Sequence, residues 1–148
     1  MALTEGDISR IRRFCRTDDF YHRLRVPEEL VATYENPEHH DAAVAVYVAG
    51  LFDEQGRRPI LRKQDNGFCL FVADTGCVLP REVRPLVCRL YPYDWNDQHK
   101  LWIQAPYCPR ELYADETDLV LQIGDSQEVA LKLVEQLYEE LARKGEQP

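Results

Sequence analysis

The sequence predicts an α+β domain, and three observations lead there. Near the C-terminal end, Ala130, Leu133, Val134, Leu137, Tyr138 and Leu141 recur at helical spacing with charges opposite them. Ala42 to Arg62 reads as apolar, β-branched chain on either side of a turn, the pattern of a small antiparallel sheet. Between them, Asn66 to Cys108 is rich in turns and prolines, and so long an irregular stretch needs something besides backbone ladders to order it.

The elements follow in order. Thr4 is a plausible N-cap with Asp7 three residues on, and Ile8, Ile11 and Cys15 share one face, so a helix is expected from Thr4 to Cys15. Thr17 reads as the cap of a second helix through Phe20, Tyr21 and Leu24. Pro27 suits the first turn of a third, running through Leu30, Val31 and Tyr34 to Asn36-Pro37. Ala42 to Leu51 ("AAVAVYVAGL") reads as a buried strand, with a short helix as the alternative. "DEQG" then turns the chain into a strand from Pro59 to Arg62, giving a hairpin over Ala45 to Arg62. Within the irregular section only Lys100 to Ala105 ("KLWIQA") is clearly strand-like. Asp125 with Glu128 forms a capping-box-like start to the final helix.

Length and composition restrict the setting. The chain's 148 residues, 45% of them hydrophobic, are enough for one domain over 1–148 with its own core. Net charge is −8, which opposes general binding to a phosphate backbone, so no nucleic-acid partner is expected. No apolar run approaches the roughly 20 residues that span a bilayer, and the opening Met-Ala-Leu-Thr-Glu-Gly-Asp lacks the features of a signal peptide. A cytoplasmic, reducing location is the expectation, with no membrane partner. There, five cysteines read as thiols or metal ligands rather than disulfides.

Four cysteines carry the chemistry. Cys69, Cys77, Cys88 and Cys108 are dispersed, without the tight C-x-x-C spacing of a zinc ribbon. Their settings are more informative. "NGFC" and "TGC" place two of them after glycine turns, and "PLVCR" and "YCPR" place the others beside proline and arginine. Such turns free backbone N–H groups, and Arg81, Arg84, Arg89 and Arg110 would offset thiolate charge. Composition and spacing leave three readings open: buried small side chains, metal ligands or redox thiols.

The residues Cys69, Gly76-Cys77, Val83-Arg84-Pro85, Cys88-Arg89 and Tyr91-Pro92-Tyr93 resemble the YkgJ-type cysteine-cluster family, described as a zinc- or iron-chelating domain. Cys108-Pro109 looks like a later element of that family, and Leu3 to Ile11 is similar to the helix that follows its first cysteine group. That group (C-x-x-x-C-x-x-C-C or a near variant) is missing here, and Met1 stands almost where it should end. Either the chain begins late or this branch has lost the group. Cys15 sits on the helix face of Ile8 and Ile11 and reads as core. The resemblance implies metal binding by Cys69, Cys77, Cys88 and Cys108. Four thiolates suit Zn²⁺, with iron or an iron–sulfur cluster as the alternative.

Other signals are blander. His39-His40-Asp41 reads as a polar loop, His22 and His99 have no partner at ligand spacing, and no nucleotide-loop, hydrolase or metalloprotease motif is present. Arg57, Arg58, Arg62 and Lys63 read as solvated charge. Trp95 and Trp102, with Tyr91, Tyr93 and Tyr107, surround the cysteine region, where aromatics can shield a metal site from water and fill a small core. The sequence thus predicts a metal-binding cysteine-cluster protein in a structural or accessory role. A redox thiol or metal-dependent enzyme is the alternative, and so is a metal-free module that binds a protein partner through its C-terminal helix.

Overall fold

The computed structural model describes residues 1–27, 50–96, 99–104 and 110–143. The fold is α+β, as expected. Its helices are α1 (Glu5–Cys15), α2 (Leu86–Leu90), α3 (Glu116–Ile123) and α4 (Gln127–Ala142). Among the described residues, two-stranded antiparallel sheets pair β1 (Tyr21–Arg25) with β2 (Arg57–Leu61), β3 (Val72–Ala73) with β4 (Gly76–Cys77), and β5 (Tyr93–Trp95) with β6 (Leu101–Ile103). No helix among these residues is long and apolar enough to cross a membrane.

Helix α1 begins as its sequence requires. Thr4 caps it, with Thr4 Oγ1 accepting from Asp7 N at 2.9 Å and Asp7 Oδ2 accepting from Thr4 N at 3.0 Å. Arg16, in the left-handed region, ends it. The second helix expected after Thr17 does not form. Tyr21–Arg25 is instead a strand, registered on β2 from Tyr21↔Leu61 to Arg25↔Arg57. Tertiary pairing outweighs local helix propensity here.

The expected hairpin from Ala45 to Arg62 is also corrected. The turn is there: Gly56 N donates to Asp53 O, and Asp53 Oδ1 accepts from Gln55 N and Arg57 N. However, it links helical Gly50 and Leu51 to β2, whose partner is β1. At its described end the Ala42–Leu51 segment is therefore helical rather than a strand. The third helix expected from Pro27 to Asn36 and the polar loop His39-His40-Asp41 fall at or inside 28–49, outside the described residues.

The core has two parts. Leu3, Ile8 and Ile11 from the N-terminal helix region pack with Phe20, Leu61, Phe71 and Leu79. The predicted α4 stripe (Ala130, Leu133, Val134, Leu137 and Leu141) packs with Leu86 and Leu90 of α2. Burying a large aliphatic side chain contributes about 1.5–3 kcal/mol, so this contact fixes the short α2 that five residues could not sustain alone. Tyr93 and Trp95 pack against this second cluster, and Tyr107 lies outside the described residues. The cap of α4 is Ser126, whose Oγ accepts from Val129 N, rather than Asp125, which pairs with Arg81. Ser126→Ala should therefore destabilise the protein by about 1 kcal/mol, a difference that denaturant unfolding would resolve.

Helices α1 and α4 meet through a buried polar joint. A Cβ on Gly6 would collide with the Glu140 carboxyl, so any larger residue there would require that side chain to shift. Glu140 accepts from Thr4 Oγ1, Gln136 and Arg10, and Arg10 also pairs with Asp7. Burial works against the charge of Glu140, but bonds from Arg10, Thr4 and Gln136 together hold its carboxyl below the ordinary value. At Asp7 burial is the larger effect and pushes the carboxyl up, against bonds from Thr4, Leu86 and Arg10.

Candidate metal centre

Each described cysteine has its own local support. Ahead of Cys69, Gly67 N donates to Gln64 O at 2.9 Å and Phe68 N to Asn66 Oδ1 at 3.0 Å, closing the turn that "DNGF" predicts. The Gln64 amide then reaches over that turn and donates to the carbonyls of Cys69 (3.1 Å) and Val72 (2.9 Å). Cys77 ends the tight hairpin, opposite Val72. Gly76 before it has φ +104°, which a side chain would strain.

Cys88 lies in the middle of α2. The helix has no side-chain cap from its own N-terminus, where Pro85 stands. Its first N–H, that of Leu86, donates instead to Asp7 Oδ1 at 2.9 Å, across 79 positions of sequence. The buried carboxylate of α1 thereby sets where the helix carrying Cys88 begins.

Cys69 and Cys77, from these separate segments, both act electrostatically on Cys88. The half-buried Cys88 thiol is pushed from 9.0 to about 12, first by burial and then by Cys69, Cys77 and Asp7, with Arg84 opposing. Cys88 Sγ also lies 3.2 Å from the Met1 sulfur. Burial holds the Met1 amine below its ordinary value, helped by Arg58 and Lys63, while Cys88 and Cys69 act on it from the other direction. Cys69 is half-buried and Cys77 exposed, and all three are free thiols. Cys108 lies outside the described residues. Cys15 is a free thiol packed against the α1 core cluster, as expected, and Cys69 packs partly buried against the same cluster.

The two arginines flanking Cys88 differ. Arg84 Nε donates to Leu79 O at 3.0 Å and Nη2 to Cys77 O at 3.4 Å, so its guanidinium braces the loop that holds Cys77. Arg89 interacts instead with Arg10, Asp125, Arg81 and Asp7. The other basic group is engaged locally: Arg57 with Asp53, Arg58 over the Phe52 ring, and Arg62 with the Asp19 carbonyl.

Among the described residues no group of three or more His, Cys, Asp or Glu side chains is set to hold a metal ion. The chain matches no family model, no curated protein and no solved structure. What the centre can do rests on its donors. Cys69, Cys77 and Arg84 all act on Cys88, and a positive charge near that thiol would offset the burial that keeps it protonated. Sequence reasoning missed the roles of Asp7 and Gln64. Asp7 was legible as a capping residue but not as the anchor of α2, and nothing local to Gln64 marks it.

Proposed function

We propose that the chain is a metal-binding cysteine-cluster protein in which Cys69, Cys77, Cys88 and Cys108 hold a zinc ion, or iron in mononuclear or iron–sulfur form, with a structural or accessory role. The observation that carries this reading is the half-buried Cys88 thiol, flanked electrically by Cys69 and Cys77 from two other segments. Apolar packing alone does not require two further cysteines within electrostatic reach of Cys88. The resemblance of the Arg84-Pro85 to Tyr91-Pro92 stretch to the YkgJ-type family supports the same reading and supplies Cys108 as the fourth donor. A bound ion would fasten together segments that have little regular pairing of their own, because binding free energy at such a site is folding free energy. A cytoplasmic setting suits it, since reducing conditions keep thiols available.

Thiol titration of freshly reduced protein, with and without Zn²⁺, tests this. Zinc should protect Cys69, Cys77, Cys88 and Cys108 and leave Cys15 as it was. Equal reactivity of all the thiols under both conditions would reject the proposal. Elemental analysis with absorption spectroscopy of protein purified without air then separates zinc from iron.

A further inference from the structure

Beside the cysteines, on the other part of α2, one guanidinium has no counterpart. The Nε of Arg89 is buried without a hydrogen-bond partner, and no ion pair reaches Arg89 among the described residues. The neighbouring carboxylates are already taken. Asp7 accepts from Arg10, Thr4 N and Leu86 N, and Glu140 accepts from Arg10, Thr4 and Gln136. Asp125 pairs with Arg81 at 2.7 Å.

Arg10 and Arg81 act on Arg89 with like charge, and Asp125 and Asp7 with opposite charge, but none of them supplies its Nε with an acceptor. A buried donor is unfavourable until an acceptor reaches it. Arg10 is held by two carboxylates and largely covered, whereas the Arg81 side chain is 41% exposed and can turn toward a ligand. Planar guanidinium groups match the two oxygens of a carboxylate or phosphate.

We propose that Arg89, assisted by Arg81, binds a small oxyanion, a phosphate or a carboxylate, at the surface between α2 and the turn Arg81–Val83. This site does not use the cysteine thiols and does not depend on a metal being bound there.

Calorimetry at low ionic strength, with inorganic phosphate and with acetate against matched sodium chloride, is the test. Saturable binding of phosphate alone assigns the site to phosphate, and of acetate alone to a carboxylate. Binding of both assigns it to their shared two-oxygen geometry. Arg89→Gln should weaken that binding about tenfold or more, the loss expected for a charge-assisted pair. Arg143→Gln, at an exposed arginine on the last turn, should leave it unchanged. Should Arg89→Gln fail to fold, the Nε–H resonance of Arg89 in the unaltered protein must shift saturably with the bound anion. No binding of either anion, binding unaffected by Arg89→Gln, or an unmoved Arg89 resonance would overturn the proposal.

Discussion

Asp7→Ala should destabilise the protein by about 3–5 kcal/mol, the range for removing one partner of a buried ion pair. The Asp7 side chain is 1% exposed and accepts from Thr4 N, Leu86 N and Arg10. Alanine would leave two buried backbone donors unmatched and Arg10 with Glu140 alone. For a chain of this length the melting temperature should drop by about 10 °C or more. The ion pair itself is not the source of the whole effect, since burial already works against the Asp7 charge. Asp7→Asn retains an acceptor for the Leu86 N–H but loses the charge facing Arg10, so its cost should be intermediate. Scanning calorimetry of the three proteins would check the order. An Asp7→Ala protein as stable as the parent would mean that α2 is positioned by its apolar contacts with α4 alone.

Cys88→Ala should remove most metal binding. Structural zinc sites contribute about 10–16 kcal/mol through four ligands, so one thiolate is worth roughly 3 kcal/mol, or about a hundredfold in affinity. Competition with a chromophoric chelator would measure this, with Cys15→Ala expected to match the parent. Without metal the same thiol gives the opposite signature. Its value in the folded chain lies above that of an unfolded thiol, so the stability it contributes is complete below about pH 9 and is lost as pH rises toward about 12. Metal-free Cys88→Ala should lack that alkaline loss. Equal zinc affinity in Cys88→Ala and the parent would remove Cys88 from the site.

What the sequence made legible was local. Thr4, Asp7, Ile8 and Ile11 announce α1 through capping and spacing, and the α4 stripe does so even more clearly, because both signals lie within a few residues of one another. Tyr21–Arg25 failed for the opposite reason: its strand identity comes from β2, 32 or more residues away, while Thr17 and Phe20 offer a passable helix start. Helix α2 was hidden for the same reason, with its first N–H bound by Asp7 and its apolar side received by α4. Helix α3 has a cap in Asp115 that accepts from Asp118 N, but its apolar residues give only a weak stripe, with Leu119 alone buried. At the cysteines, glycine and proline punctuation singled out the right turns. That Cys69 and Cys77 act on Cys88 is a property of three segments together, which no local signal shows.

The joint between Thr4, Arg10 and Glu140 also sets a timetable for synthesis. These partners are separated by 130 and 136 positions. At about 5–20 residues per second, roughly 6–27 seconds pass between the ribosome's addition of the first partner and the last. Throughout that interval Arg10 has Asp7 but not Glu140, and the apolar side of α2 has no α4 to cover it. The nascent chain therefore carries its cysteine segment before the scaffold that seats it is complete, and those thiols meet the metals and oxidants of the cell while still unfolded.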